Sequence, residues 1–447
     1  MVLGGTRLRR GVGILAGIAV TSVVVAALWL HGRLYDEPRP LPHAYYVWQM
    51  QWTDSVRDAV ARAAPEADRL MVLLGEVSAV DGALAFTPAR PDWQSLARDR
   101  AQTALVLRAG VSLGPFLNGT GLDGAADYLF GILDGARNAA RDAGVEVVGV
   151  QLDYDCPTSK LGDYRRLLEA MQSRLPDVDL SITVLPTWIK RWEFGDLVDG
   201  LSYYVLQVHS LEPPTTVDQP IVLCDTSRIP GYLRRAAWVG VPFYLALPTY
   251  GYRVVFDESG AFTALSAEGP APAANATHQV RLVMPDPAEI AAVVRSVEAA
   301  PPRGCRGFAW FRLPNLGDEL NWSWTTLEAV REGRVPRTAF DVEIRNLSPA
   351  LYEAWITNTG ETRVWDPIAF EVRWNGKELL AYDVLGGFAG APNRESESVR
   401  LTGPPPHDAD PAMVAWFRFG DGATETPSQV VAGPVTVLQS QTADNPS

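Results

Sequence analysis

The chain has 447 residues, 47% of them apolar and 20% charged, which is typical of a globular protein of two or three domains and excludes a mainly disordered chain. The formal net charge of −13 gives no reason to expect binding to DNA or RNA through neutralised phosphates. The three cysteines, none in a CxxC pair, exclude a disulfide-rich scaffold and a zinc ribbon.

The first element in chain order is an uncharged run from Gly11 to Leu30. About 20 helical residues span roughly 30 Å, the thickness of the hydrocarbon core of a bilayer. Three arginines lie before the run, so the positive-inside rule predicts that residues 1–10 stay in the cytoplasm. The sequence therefore predicts an N-terminal transmembrane signal anchor at residues 11–30 of a single-pass inner-membrane protein. The rest of the chain would lie on the periplasmic or extracellular side.

A cleaved signal peptide is the alternative interpretation of this run, with Val25 and Ala27 as the small residues before the cut. The retained anchor is favoured because the apolar run is long and continues past Ala27 to Leu30. Residues 31–43, with three prolines, predict a stiff stalk between the membrane and the first globular domain.

From residue 44, short apolar runs alternate with helical stretches. The candidate strands are Tyr45–Trp52, Arg69–Val77, Ala104–Val111, Val145–Tyr154, Leu180–Leu185, Leu201–Val208, Phe243–Pro248 and Gly307–Leu313. Several lack polar alternation, as strands buried on both faces do. The pattern predicts an α/β fold, a (β/α)8 TIM barrel over residues 44–335. A doubly wound open sheet is the alternative, but no GxGxxG fingerprint follows any strand.

After about residue 335 the helical pattern stops and apolar residues alternate with polar ones. Phe340, Val342 and Ile344 show this period of two. Asn375-Gly376 is a pair that favours a tight hairpin. Residues 336–440 therefore predict a C-terminal all-β, sandwich-like domain.

The segment most informative about chemistry runs from Gly149 to Pro157, with the sequence GVQLDYDCP, at the end of an apolar strand. Side chains alternate along a strand, so Gln151, Asp153 and Asp155 share one face. Facing into the barrel, they would lie at its C-terminal mouth, where active sites of such barrels lie. Two neighbouring carboxylates repel, so one holds its proton more tightly, which gives an acid and a base at one site. The alternative is that Asp155 caps the next helix.

This segment resembles the fourth-strand motif DGxDxDxE of the chitinase-like glycoside hydrolases. Two further segments agree in order: LPTYG at 247–251 resembles the Pro-x-Tyr-Gly of the seventh strand, and GFAWF at 307–311 resembles the eighth-strand segment with a Trp. The whole chain is more similar still to an uncharacterised bacterial family of exported barrel proteins with a β-rich tail. The resemblance implies a glycoside-hydrolase-like barrel.

The resemblance also implies roles for individual residues. Asp155 falls where the clan has its general-acid Glu, and Asp153 where the clan has the Asp that orients an acetamide group. Gln151 replaces a further Asp. Because Asp is one methylene shorter than Glu, the resemblance implies a sugar-site geometry rather than chitinase activity.

Several other residues at predicted strand ends are candidates for the same site. Glu76 is a candidate for the opposed carboxylate of a two-carboxylate mechanism, with a surface Glu as the alternative. The candidates for substrate binding are Gln151, Gln207, His209, Tyr250, Trp310 and Trp48. The two tryptophans are predicted sugar platforms, with core packing as the alternative. No metal site and no cofactor are expected, because no HxH or HxxxH spacing accompanies these residues.

Two further predictions concern the mouth of the barrel. The segment 257–287 is long for a βα loop and is predicted to cover the mouth as a flap. Cys156 and Cys224 are predicted on the mouth side, where they could pair in an oxidising compartment and leave Cys305 unpaired; three unpaired buried thiols are the alternative.

Together these patterns predict a membrane-anchored, glycoside-hydrolase-like protein that acts on or binds an envelope or extracellular polysaccharide by carboxylate acid/base chemistry. One alternative is a non-catalytic carbohydrate-binding protein on a degenerate hydrolase barrel. Another is an envelope scaffold in which the tail domain is the functional part.

Overall fold

The structure of the protein, a computed structural model, describes residues 32–119, 121–210, 213–267, 277–406, 410–420 and 429–438. The chain divides between Asn321 and Trp322 into two units. The predicted transmembrane anchor, residues 11–30, lies outside the described residues. No helix among the residues described is long and apolar enough to cross a bilayer.

A closed barrel of parallel strands forms the first unit. The strands of this unit are β1 (His43–Val47), β2 (Arg69–Val80), β3 (Ala83–Pro88), β4 (Thr103–Ala109), β5 (Val147–Tyr154), β6 (Asp179–Val184), β7 (Tyr203–Gln207), β8 (Phe243–Pro248), β9 (Tyr252–Phe256), β10 (Phe262–Ser266), β11 (Gln279–Val283) and β12 (Cys305–Phe311). Strands β1, β2, β4 to β8 and β12 pair in parallel, and β1 pairs with both β2 and β12, which closes the barrel. The eight predicted strands are these eight, so the prediction of a TIM-type barrel is confirmed.

Helices follow most of the barrel strands. They are α1 (Asp54–Ala63), α2 (Trp93–Arg98), α3 (Gly121–Asp142), α4 (Leu161–Arg174), α5 (Glu193–Val198), α6 (Ile229–Val239) and α7 (Pro287–Ala299). Their starts are set by short polar side chains: Asp92 accepts the Ser95 N–H at α2, and Asp286 accepts the Ala288 N–H at α7. Each longer helix buries an apolar stripe, which fixes the face it turns to the sheet.

The interior of the barrel is filled by side chains that alternate along its strands. Ala44 and Tyr46, Met71 and Leu73, and Ala104 and Val106 belong to one buried cluster with residues of β7, β8 and β12. Small and large residues alternate around this cluster, so the barrel is a packed core rather than a channel.

The segment after β8, which includes the predicted flap at residues 257–287, contains secondary structure of its own. Strands β9, β10 and β11 form a three-stranded antiparallel sheet with the order β10-β9-β11. Val254 and Phe256 are fully buried and anchor this sheet in a cluster of its own.

The second unit contains α8 (Trp324–Arg331) and two antiparallel sheets. Its strands are β13 (Phe340–Ser348), β14 (Leu351–Asn358), β15 (Ile368–Trp374), β16 (Leu379–Val384), β17 (Pro392–Asn393), β18 (Ser398–Gly403), β19 (Ala412–Phe419), β20 (Val430–Ala432) and β21 (Thr436–Val437). The sheet orders are β13-β14-β19-β16 and β17-β18-β15-β20, with β21 on β15. Both sheets contribute side chains to one buried cluster.

The turn at Asn375-Gly376 is not the predicted hairpin. Gly376 has a positive φ of 66°, as the sequence pair suggested, but the flanking strands β15 and β16 belong to different sheets. The chain therefore passes from one sheet to the other at this turn. The dipeptide determined the local bend, whereas pairing with β18 and with β19 determined the sheet to which β15 and β16 each belong.

Candidate functional site

A cavity of about 630 Å³ opens at the carboxyl ends of the barrel strands. Of the residues predicted for the site, six line it: Trp48, Asp153, Asp155, Gln207, His209 and Tyr250. Residues that the sequence did not single out also line it, among them Tyr46, Arg108, Phe311 and Arg312. The sheet β9 to β11 adds Leu265 to Ala267 at its side.

Asp153 and Asp155 are in different environments although they lie two residues apart. Asp153 is the penultimate residue of β5 and is half-buried, whereas Asp155 follows the strand and is exposed. Burial raises the pKa of Asp153 to about 6, and the negative charge of Asp155 adds to this effect. The guanidinium of Arg108 acts in the opposite direction on the same pKa. Asp153 is therefore the member of the pair that holds its proton towards neutral pH.

Arg108 lies between two carboxylates in the register of the barrel. On β4 it is opposite Asp153 of β5 on one side and opposite Glu76 of β2 on the other. Neighbouring strands lie about 4.8 Å apart, so the three side chains form a row across the barrel wall. The only signal for Arg108 in the sequence is a charge at the end of an otherwise apolar strand.

Glu76 joins this row because of a β-bulge. The register between β2 and β4 shifts between Leu73 and Gly75, so that Leu73 is opposite Val106 and Glu76 is opposite Arg108. The extra residue of the bulge reverses the alternation of side chains between the two faces of β2. Glu76 therefore points to the same face as Leu73. Glu76 does not line the cavity as Asp155 does, although its charge raises the pKa of Asp153.

Gln151 is buried below the acid pair and does not reach the cavity. Its Oε1 accepts a hydrogen bond of 2.8 Å from Tyr46 Oη, and burial raises the pKa of Tyr46, which keeps the phenol protonated as a donor. Gln151 therefore acts on the site through Tyr46, and the prediction that it contacts substrate directly is not retained.

His209 is a neutral histidine in the cavity wall. Burial lowers its pKa to about 3, so the ring carries no charge at physiological pH. Its Nδ1 lies 3.4 Å from Tyr250 Oη, and its Nε2 has no hydrogen-bond partner among the residues described. Gln207 Nε2 donates to the His209 carbonyl at 2.9 Å, which holds this strand end in place. The Nε2 atom of the ring can therefore form one hydrogen bond with a ligand.

Aromatic side chains form the apolar part of the wall. Trp48 and Phe311 meet edge to face with ring centroids 4.9 Å apart, and Tyr46 contacts both. Flat rings of this kind pack against sugar rings. The prediction for Trp48 therefore agrees with its place in the cavity wall.

Trp310 faces away from the cavity, and its predicted role as a platform is not retained. It is fully buried, its Nε1 donates to His43 Nδ1 at 3.0 Å, and its ring stacks on that of His43. Alternation along β12 places Phe311 inside and Trp310 outside. The sequence motif identified the strand, but the side chain that faces the cavity is that of Phe311, the neighbour of Trp310.

Arg312 is a buried arginine of the lining whose charge is compensated. Its Nη2 lies 2.6 Å from Asp318 Oδ2, and the same nitrogen donates to the Ala267 carbonyl at 2.8 Å. The hydrogen bond to Ala267 ties the end of β12 to the loop after β10, and the ion pair holds the loop after β12. Its role is structural, since its donors are directed to the protein.

The cysteines are unpaired in the structure. Cys156, Cys224 and Cys305 are all buried and free, so the predicted Cys156–Cys224 pairing is not found. Burial raises the pKa of each thiol to about 12, which makes them unreactive towards oxidation and metals. Within the described part of the chain, no group of three His, Cys, Asp or Glu side chains is arranged to hold a metal ion.

The chain is similar to several solved structures at low sequence identity. The spore cortex-lytic enzyme SleL of Bacillus megaterium is 13% identical with a TM-score of 0.49, and the match covers 67% of this chain and 75% of that one. A chitinase of Chromobacterium violaceum is 13% identical with a TM-score of 0.47, covering 66% and 98%. A chitinase of Rhizomucor miehei is 13% identical with a TM-score of 0.42, covering 65% and 99%.

The sequence itself is matched by one family. A comparison with curated protein sequences finds no match. The family described as a domain of unknown function, DUF3142, matches residues 133–316, a segment that includes β5 to β12 and both Asp153 and Asp155. The chain is therefore similar to an uncharacterised family over the part that carries Asp153 and Asp155.

Proposed function

We propose that the barrel binds a polysaccharide and hydrolyses its glycosidic bonds, with Asp153 and Asp155 as the acid pair. The observation that carries this proposal is the position of two carboxyl groups at the barrel mouth, one of them with a pKa of about 6. General acids work best when their pKa lies near the working pH. The neighbouring barrels are named as chitinases and a cortex-lytic enzyme, which is consistent with a glycan ligand.

The two members of the pair have different proposed roles. The sequence assigns the donor role to Asp155, which lies where a glycosidic oxygen can approach. The two carboxyl groups lie about 6–7 Å apart along the backbone, close enough for the charge of Asp155 to raise the pKa of Asp153. In this proposal Asp155 is the proton donor to the glycosidic oxygen and Asp153 is its electrostatic partner.

The rest of the cavity wall suits a sugar ring. Trp48 and Phe311 offer apolar ring surface, and His209 Nε2 and Gln207 offer polar atoms beside it. Such a combination of apolar faces and a few fixed polar groups is typical of ligand cavities.

A second candidate is a protein that binds the glycan without cleaving it. The observation that favours it is that, within the described lining, the carboxylates are Asp153 and Asp155, both from the end of β5. Hydrolysis with two carboxylates needs a second group across the bond, and Glu76 lies outside the lining. A neighbouring acetamide of the substrate, or Glu76 after a rearrangement, would have to supply this role.

One experiment separates the two candidates. The full chain is incubated with a panel of neutral and acidic polysaccharides, and binding and the release of reducing ends are measured in parallel. Binding with release supports hydrolysis, binding without release supports the second candidate, and the absence of both contradicts the sugar proposal. Glu146→Gln, which removes an exposed carboxyl distant from the cavity lining, is the matched control.

We also propose that residues 11–30 anchor the protein in the inner membrane and that the barrel lies on the periplasmic or extracellular side. The uncharged run and the arginines before it support this proposal. An exported barrel would meet envelope or extracellular polysaccharides, the ligand class proposed above.

A further inference from the structure

Arg108 is a charged side chain of the cavity for which the protein supplies no direct partner. It is half-buried and lines the cavity beside the acid pair. In the part of the chain that the structure describes, its guanidinium makes no hydrogen bond and no ion pair. Arg312, the other arginine of the lining, differs in being held by Asp318 and Ala267. Its five donors are unused by the residues described, so they can bind an acceptor that enters the cavity.

The two register neighbours of Arg108 leave its donors unused. Glu76 and Asp153 influence the site through their charges but do not contact the guanidinium. Asp153, with a pKa of about 6, is mostly neutral in mildly acidic solution and then adds no negative charge. The positive charge of Arg108 is therefore available to a ligand that enters the cavity.

We infer that Arg108 binds the carboxylate of an acidic sugar, so that the ligand of this cavity is a polysaccharide of carboxylated sugars. The inference rests on the proposed function, because it assigns the sugar class to the same site. The planar fork of a guanidinium matches a carboxylate with two parallel hydrogen bonds. A neutral sugar would present only hydroxyl groups to the donors of Arg108, which form weaker hydrogen bonds than a carboxylate does.

The test compares matched polysaccharides that differ in charge. Uronic acid polymers, such as polygalacturonate, polyglucuronate and polymannuronate, are each offered to the full chain as the free acid and as the methyl ester. We expect at least one acid form to bind at least about tenfold more tightly than its ester, the size of effect that a charge-assisted pair gives. Arg108→Gln should abolish this preference, so that the ratio of the affinity for the acid to the affinity for its ester falls to about one.

Two further variants keep the test interpretable. Arg108→Lys retains the charge without the fork and should retain part of the preference. Arg137→Gln removes the same charge from the protein at a half-buried arginine of α3 that does not line the cavity. This variant should keep the full preference for the acid form. Thermal unfolding of every variant shows whether the barrel remains folded.

The failure of this inference is distinct from the failure of the proposed function. If the wild type binds neutral polysaccharides and no acid form preferentially, or if Arg108→Gln weakens acid and ester equally, the acidic-sugar inference is overturned and the sugar site stands. If the wild type binds neither these polymers nor any neutral polysaccharide, both are overturned.

Discussion

At the scale of single residues, the site depends on what surrounds Asp153. Its half-buried position, the charge of Asp155 and the opposing charge of Arg108 together set its pKa at about 6. Asp155 has the same chemistry in an exposed position. In the proposed mechanism, the different surroundings give two chemically identical side chains different roles, as in other two-carboxylate sites.

The acid role of the pair predicts the behaviour of Asp155→Asn. Asparagine keeps the size of the side chain but cannot donate a proton, so turnover of a cleaved polysaccharide should fall by about 10²–10⁴. Binding should persist, because Trp48, Phe311 and His209 are unchanged. Turnover equal to that of the wild type would contradict the acid role, and Glu146→Gln controls for the loss of one carboxyl.

The same substitution has an effect that needs no substrate. The negative charge of Asp155 raises the pKa of Asp153, so its removal in Asp155→Asn should lower that pKa from about 6 towards the ordinary value of 3.8. The carboxyl ¹³C shift of Asp153, followed by NMR across pH 3–8, measures it. An unchanged midpoint would mean that burial alone sets the pKa.

The sequence predicted the shared face of Asp153 and Asp155 because alternation along a strand is local. The same argument could not identify Arg108, since its importance comes from a register with β5 that local pattern does not specify. For Trp310, the motif identified the right strand but the wrong face. The face of a residue in a continuous apolar run depends on the barrel and the helices around it.

At the scale of elements, the bulge in β2 decides where Glu76 points. Gly75 has a φ of 140°, a conformation open to glycine, and a Cβ at this position would lie 2.3 Å from the Thr87 carbonyl oxygen of β3. The bulge is therefore stabilised by glycine and by pairing with β3.

Gly75→Ala should accordingly destabilise the barrel. The strained φ and the collision with Thr87 predict a loss of about 2–4 kcal/mol in the free energy of unfolding, measured by chemical denaturation. Gly131→Ala is the control, because Gly131 is exposed on α3 with no atom within 4 Å of an added Cβ. It should stabilise the protein by about 0.5–1 kcal/mol, as alanine does in a helix. Equal effects would refute the role given to Gly75.

At the scale of the whole molecule, the raised pKa of Asp153 makes stability depend on pH. A carboxyl whose pKa is higher in the folded than in the unfolded state costs stability as the pH rises from about 4 to 6. The shift from 3.8 to about 6 corresponds to a cost of roughly 2–3 kcal/mol above that window.

Asp153→Asn should therefore be more stable than the wild type at pH 8, by about 2 kcal/mol, and similar to it at pH 4. Denaturant unfolding at the two pH values measures the difference, and Glu146→Gln controls for the loss of a negative charge. A difference independent of pH would mean that packing rather than ionisation causes it.

The proposed anchor predicts a topology for the full chain. A periplasmic reporter fused after residue 60 should be active, and a carbonate wash should leave the protein in the membrane. The same reporter at the N-terminus should be inactive, because residues 1–10 carry the positive charges that remain in the cytoplasm. Recovery of a soluble form that begins near Leu28 would instead indicate a cleaved signal.

The sequence by itself determined the barrel and the location of its acid pair. Eight apolar strands separated by helices are a local, repeated pattern, and the carboxyl ends of parallel strands meet at one mouth. The alternation of apolar residues likewise predicted a β-rich tail, since one buried face imposes a period of two.

The tertiary structure decided which side chains meet. The bulge that turns Glu76, the register that places Arg108 beside Asp153, and the sheet change at Asn375-Gly376 all depend on pairing between distant segments. The pKa values of Asp153 and His209 depend on burial by several strands at once. These properties arise from the packing of strands far apart in the chain, so no local pattern could specify them.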